Sequence, residues 1–130
     1  MKKFKVFDLL TKMAEDVNSF GNARVTSAIV MKNDIISFGF NERKTHPLQS
    51  RFATNPMAIY RHAEIASIIN GLRRISVDDF KKCDIYVARI KKDKSWGLAM
   101  PCKGCTEAIS NFGLRNVYYT TDITNVFECG

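Results

Sequence analysis

The sequence predicts an α/β protein: a three-layer α/β/α domain on a mixed sheet of about five strands. Three observations lead to that class. Apolar residues recur at helical spacing in three separated segments, strand-like apolar runs lie between them, and the last connection is too short for a parallel return.

Leu9, Leu10, Met13, Ala14, Val17 and Phe20 share one helical face, and Gly21 stands where a C-cap belongs, so the first helix should cover one face of the sheet. Val25 to Met31 and Ile35 to Phe40 read as strands around Asn33-Asp34, a favourable turn pair, and predict a hairpin. From Asn41 to Arg61 the pattern dissolves into a long loop with Pro47, Asn55 and Pro56, and four basic residues against one glutamate. A loop of this length is more often functional than not. Helical periodicity resumes with Ile65, Ile68, Ile69 and Leu72, and Arg73-Arg74 suit the negative end of that helix. Ile85 to Ile90 is a nearly continuous apolar run, as in a central strand buried on both faces, and Lys91 to Gly97 is a basic connection. Pro101 is expected to open a third helix, with Ala108, Ile109 and Phe112 inward and Gly113 as its stop. Val117 to Thr120 is the fourth strand. Thr121 to Asn125 is shorter than the dozen or so residues a crossover needs, so a fifth strand at Val126-Phe127-Glu128 must run antiparallel to it. The order is α-β-β-α-β-α-β-β, one domain over residues 1–130 without an internal repeat.

A chain of 130 residues, 45% hydrophobic and 25% charged, can bury a core without disulfide staples, which excludes disordered and fibrous classes. Apolar runs such as Ala28 to Met31 and Ile85 to Ala88 fall far short of the roughly 18 residues that cross a bilayer, so no membrane partner is expected. Lys5, Asp8 and Lys12 interrupt any apolar stretch behind the basic start, which reads as a cytoplasmic protein. Twenty Lys and Arg against thirteen Asp and Glu leave a net charge of +7, which favours phosphate-bearing partners. In a reducing compartment the Cys-x-x-Cys pair Cys102 and Cys105 suggests metal or redox chemistry instead of a disulfide framework.

The informative constellation is His62-Ala63-Glu64 with Pro101-Cys102-Lys103-Gly104-Cys105, each at the start of a predicted helix. Cys102 and Cys105, three apart, share one side of a first turn and can reach one ion. The positive helix end lowers the thiolate pKa and so favours metal binding. His62 would complete a one-nitrogen, two-sulfur set whose fourth position stays open for water, the arrangement of a catalytic zinc, which acidifies that water towards neutral pH. Glu64, two positions after the histidine, can approach the same water without coordinating and move its proton.

His-x-Glu followed by Pro-Cys-x-x-Cys resembles the signature of the cytidine/deoxycytidylate deaminase superfamily, zinc-dependent nucleobase deaminases, and the element order resembles that family over most of the chain. The resemblance implies a cytidine-deaminase-like fold, Zn2+ held by His62, Cys102 and Cys105, and Glu64 as the proton shuttle. It also implies substrate contacts by Asn41, in the strand-end Gly39-Phe40-Asn41, and by the Ala63 backbone, and a homo-oligomer. Ala99-Met100 stands where many members carry Ser, Thr or Glu before the Pro-Cys pair. An antiparallel last strand is similar to the small cytidine-deaminase branch, whereas His62 in place of cysteine is similar to the deoxycytidylate and tRNA branches. The Tyr86-Val87-Ala88-Arg89 strand and the extension before Pro101 look like poorly characterised viral and microbial members.

The implied reaction is hydrolytic deamination of a cytosine nucleotide or nucleoside to the uracil product and ammonia by zinc-activated hydroxide. A base editor of single-stranded DNA or RNA fits the charge but lacks a dense aromatic-basic platform, and a non-catalytic zinc module would have no use for Glu64. Arg43 and Lys44, with Arg51 and Arg61, would form a phosphate collar or be plain solvated charge. His46 is either a phosphate or sugar contact or a turn histidine. Trp96 and Phe52 are stacking groups or loop anchors, Met57, Ile59 and Tyr60 core or subunit contacts. Cys83 reads as a buried small hydrophobe and Cys129 as a frayed terminal residue.

Overall fold

The computed structural model describes residues 3–15, 23–41, 62–91, 93–123 and 126–130. Helix α1 is Lys3–Glu15, strands β1 and β2 are Ala23–Met31 and Asp34–Phe40, and helix α2 is Ala63–Leu72. A 3-10 turn, Val77–Lys82, leads into β3, Cys83–Lys91, and the two-residue β4, Trp96–Gly97. Helix α3, Lys103–Asn111, is followed by β5, Asn116–Thr120, and β6, Phe127–Cys129. The mixed sheet runs β2-β1-β3-β5-β6, with β4 also paired to β3. The β3–β5 pair is parallel and the other pairs are antiparallel, the final strand included, as its short connection requires.

Alternation along the strands sorts the core into two layers. Ala28, Val30, Tyr86, Ala88 and Ile90 pack with Val6, Phe7, Leu10 and Ala14 of α1. Ile29, Ile85 and Val87 face the other way, against Ile68, Ile109 and Phe80 on the side of α2 and α3. Central β3 is therefore buried on both faces through its middle, as its composition predicts.

Several boundaries differ from the sequence reading. Helix α1 begins at Lys3, and its buried face starts with Val6 and Phe7 because the neighbouring lysines project outward and do not interrupt the stripe. Val17, Phe20 and Gly21 lie outside the described residues. The hairpin turn is Lys32-Asn33, with Asp34 already paired to Met31. Of the two turn residues Lys32 takes a positive φ, 57°, and Asn33 does not, the sign pattern of a hairpin turn with positive φ at its first central position. Pro101 precedes α3 instead of opening it, and Cys102 is the N-cap. Gly113 ends the helix at φ 79°, as expected.

The basic connection after β3 hides β4, too short to show periodicity. Its Trp96 is no surface stacking group: it lies against Phe7 at 5.6 Å and donates to Thr11 Oγ1 at 3.2 Å. Cys83 is buried and Cys129 is an exposed member of β6. Residues Arg43, Lys44, His46, Arg51, Phe52, Met57, Ile59, Tyr60 and Arg61 fall outside the described residues. Among those described, no helix is long and apolar enough to cross a membrane.

Candidate metal centre and active site

Two helix N-termini converge above one end of the sheet. His62 is the N-cap of α2 and Cys102 the N-cap of α3. Both hold extended backbone, so their side chains leave the helix axes and meet in the gap between them. The position of α2 follows from small residues beneath it. A Cβ on Gly39 would lie 2.4 Å from Ser67 N and 2.5 Å from Ala63 O, so only glycine lets the first turn settle this low on β2. Buried Ser27 of β1 donates from Oγ to Ala63 O at 2.7 Å, Ser37 Oγ to Ser67 O at 2.7 Å, and Ser67 Oγ to Glu64 O at 2.8 Å. The segment that leads from β4 into α3 is fastened to β5 by Ala99, whose N–H donates to Thr120 O at 2.9 Å three residues before Cys102.

This framework brings His62 Nδ1 to 3.3 Å from Cys105 Sγ and 3.6 Å from Cys102 Sγ, and all three donor atoms lie within 4.8 Å of one another. A tetrahedral ion with Zn–S near 2.3 Å and Zn–N near 2.0 Å separates nitrogen from sulfur by about 3.5 Å, so the observed spacing suits zinc. One nitrogen and two sulfurs also match the ligand chemistry of that ion. The side chains are thus positioned to hold Zn2+ and leave a fourth position free of these residues.

The electrostatics agree. Cys102 is drawn down to about 4 by hydrogen bonds from Cys105 and His62 and by the Cys105 backbone N–H, which donates to Cys102 Sγ at 3.4 Å. Cys105 shifts strongly upward because its proton is shared with Cys102 and because it is buried. The hydrogen bond to Cys102 also raises His62, against its own burial. One sulfur is therefore ionised at neutral pH, and the remaining proton lies where a dication would displace it.

Glu64, in the first turn of α2, is 5% exposed and sits beside the Cys105 thiol. Burial lifts its carboxyl above the ordinary range, while its own backbone N–H and the His62 charge oppose that lift. Of the other candidates, Ala63 is buried with its carbonyl accepting from Ser27. Asn41 is tied to β1: its N–H donates to Val25 O at 3.2 Å and its Oδ1 accepts from Val25 N at 3.1 Å. Its amide Nδ2 is the part left for other partners. Sequence reading missed Ser27, because its place under Ala63 is set by strand register and no local signal marks it.

A model of the cytidine and deoxycytidylate deaminase zinc-binding region matches residues 2–121. The chain belongs to this deaminase family. Among solved structures, dCMP deaminase from the cyanophage S-TIM5 is similar at TM-score 0.54 and 21% identity, over 93% of this chain and 86% of that one. A tRNA deaminase that edits A to I at the wobble position is similar at 0.56 and 19%, over 92% and 76%. A mutant cytidine deaminase from Mycobacterium tuberculosis is similar at 0.55 and 13%, over 95% and 88%. These likenesses are of fold, and the names carry different substrates. No curated protein matches the deaminase chain in sequence.

Proposed function

We propose that the protein hydrolyses the exocyclic amine of a cytosine nucleotide or nucleoside, releasing ammonia and the uracil product. His62, Cys102 and Cys105 would hold zinc, and Glu64 would carry the protons. A zinc ion bound there supplies an acidified water and polarises the reacting centre. Glu64 would accept the proton that water gives up and deliver it to the ring N3, then take the second proton from the new hydroxyl on C4 and give it to the amine as the C–N bond breaks and the carbonyl forms. The burial of Glu64 supports this role, because a carboxyl lifted above its ordinary range takes up a proton more readily than a fully solvated one and so can hold it for transfer to the base. The Ala63 backbone and the Asn41 amide flank the same end of the sheet and would orient the substrate. The whole chain would act as one domain.

The observation that carries this reading is a buried carboxyl beside an open His-Cys-Cys set, since a purely structural site takes a fourth protein ligand. The test is mass spectrometry of a nucleoside and nucleotide panel after incubation with the zinc-loaded chain, watching for the one-dalton gain of amine-to-carbonyl exchange. Glu64→Ala should keep zinc and lose about 10²- to 10⁴-fold in turnover. Unchanged turnover in that variant would remove the mechanism. A base editor of nucleic acid is the second reading, favoured by the net charge of +7. Turnover of an oligonucleotide with none of any free nucleotide would select it.

A further inference from the structure

The row of residues under the mouth of the site contains one cation, Arg89, and the same face of β3 carries a second, Lys91, two residues on; no role above uses either. Helix α2 runs antiparallel to β2, with Ser67 over Ser37 and Ala63 over Gly39, so His62 projects over the next row of the sheet. That row is Asn41, Val25, Arg89 and Gly97, contributed by the end of β2, β1, β3 and β4. Arg89 has the strand parity of Ile85 and Val87, so it stands on the face of α2 and α3. It lies one row, about 7 Å, beyond Val87, which pairs with Ser27 under Ala63. This is the carboxyl end of the parallel β3–β5 pair, where open α/β sheets take their ligands.

The local structure draws the two cations together. Gly97 has no side chain, and a Cβ placed there would lie 3.1 Å from Arg89 Cδ and 3.3 Å from Lys91 Cγ, so both stems lean over the same glycine. Arg89 N–H donates to Thr120 Oγ1 at 3.1 Å, which in turn donates to Gly97 O at 2.8 Å, and Thr120 O holds Ala99. The rim is thereby tied to the segment leading into Cys102. Among the described residues Arg89 and Lys91 form no ion pair. Asp93, the carboxylate whose charge Lys91 reaches, is already bonded to Ser95. Two like charges held over one glycine at a ligand-binding end repel each other, and an anion bound between them would relieve that repulsion.

We propose that Arg89 and Lys91 form an anion-binding rim of the candidate active site and take a phosphate carried by the substrate. The inference rests on the deaminase reading for the substrate but on the sheet geometry for the anion site. Arg89 supplies the planar fork suited to phosphate oxygens and Lys91 a point charge. A free nucleotide and a nucleic-acid backbone both offer this chemistry, and the experiment separates them.

Binding is measured on the zinc-loaded full chain carrying Glu64→Ala, so that ligand is not consumed, with deoxycytidine, dCMP, inorganic phosphate and a short single-stranded DNA as probes. dCMP should bind roughly tenfold or more tighter than deoxycytidine, and phosphate should compete with it. In the Arg89→Gln/Lys91→Gln double variant that ratio should fall to about one, with Arg89→Lys in between because it keeps charge without the fork. Rim-dependent binding of the oligonucleotide but not of dCMP assigns the anion to a phosphodiester. Rim-dependent phosphate binding, together with no deamination by the unmodified chain of any panel compound or oligonucleotide, keeps the rim and discards the deaminase function. The rim is overturned if the double variant keeps the dCMP preference and phosphate affinity, or if the unmodified rim binds no phosphate-bearing probe at low salt.

Discussion

Both faces of the sheet tie a helix carbonyl to a buried strand hydroxyl, Thr26 Oγ1 to Leu10 O at 3.0 Å under α1 and Ser27 Oγ to Ala63 O at 2.7 Å under α2, but they differ in what surrounds that bond. On the α1 side aromatic bulk surrounds it: Phe7 contacts Tyr86 at 5.4 Å, Trp96 at 5.6 Å and Phe127 at 5.0 Å, and Tyr86 stacks on Tyr118 at 5.0 Å. On the α2 side under the site, Gly39, Ser27, Ser37, Ala63, Ala66 and Ser67 replace bulk with close approach and hydroxyl-to-carbonyl bonds. Large side chains contribute free energy through area but fix position loosely, since they repack. A short hydroxyl bond contributes little energy but sets a backbone atom to within a few tenths of an ångström. The close seating under α2 is thus what places the donor atoms, while the aromatic face under α1 contributes to stability alone.

That division predicts separable damage. Phe7→Ala should cost about 3–5 kcal/mol of stability, read from denaturant unfolding, while the fraction that remains folded binds zinc as before. A parallel drop in zinc affinity of the folded protein would show that the α1 face also places the site. Gly39→Ala should do the reverse. Its added methyl meets backbone atoms at 2.4 and 2.5 Å, so α2 must rise from the sheet, at a cost of about 1–3 kcal/mol. The larger consequence is displacement of His62 and Glu64, seen as weaker zinc binding in chelator competition and an altered visible spectrum of the cobalt-substituted protein. An unchanged cobalt spectrum would mean that the seat on β2 does not set the metal geometry.

The same contrast explains what the sequence revealed. The helix faces, the hairpin, buried β3 and the antiparallel end strand follow from periodicity and loop length, which are properties of residues near each other in the chain. The donor set was legible for a different reason: His62, Glu64, Cys102 and Cys105 belong to residue types with narrow chemistry, at spacings that two helix starts can bring together. Trp96 takes the anchoring one of its two expected uses, but β4 itself was not foreseen, because it pairs with β3 through only two residues and nothing local marks such a strand. Ser27 and Arg89 were illegible as site residues because their relevance depends on register. Which residue of β1 lies under Ala63, and which of β3 lies under the mouth, is fixed only when β1, β2 and β3 align.

Ser27→Ala tests the hydroxyl half of the comparison with a smaller perturbation. Ala63 O loses the Ser27 donor, and the expected cost is about 1 kcal/mol of stability. If the hydroxyl places the first turn of α2, turnover should fall with little change in KM, because Glu64 drifts from the reacting atoms while the binding groups persist. A change confined to melting temperature would reduce Ser27 to a packing residue.

The smallest effect at neutral pH belongs to Tyr86→Phe, and it isolates the α1 face. The Tyr86 phenol is pushed up to about 12, first by burial and then by the charge of Asp84. Its ionised form is disfavoured in the folded protein relative to an unfolded chain, where it titrates near 10. The stabilising difference is therefore complete below pH 10 and is lost as pH rises from about 10 through about 12, since the unfolded chain sheds this proton first. Tyr86→Phe removes the titrating group and keeps the ring that meets Phe7 and Tyr118, so the two proteins should melt alike at pH 7 and diverge above pH 10, with the variant the more resistant. Identical alkaline unfolding curves would place the phenol in contact with solvent and so make the aromatic face looser than its packing implies.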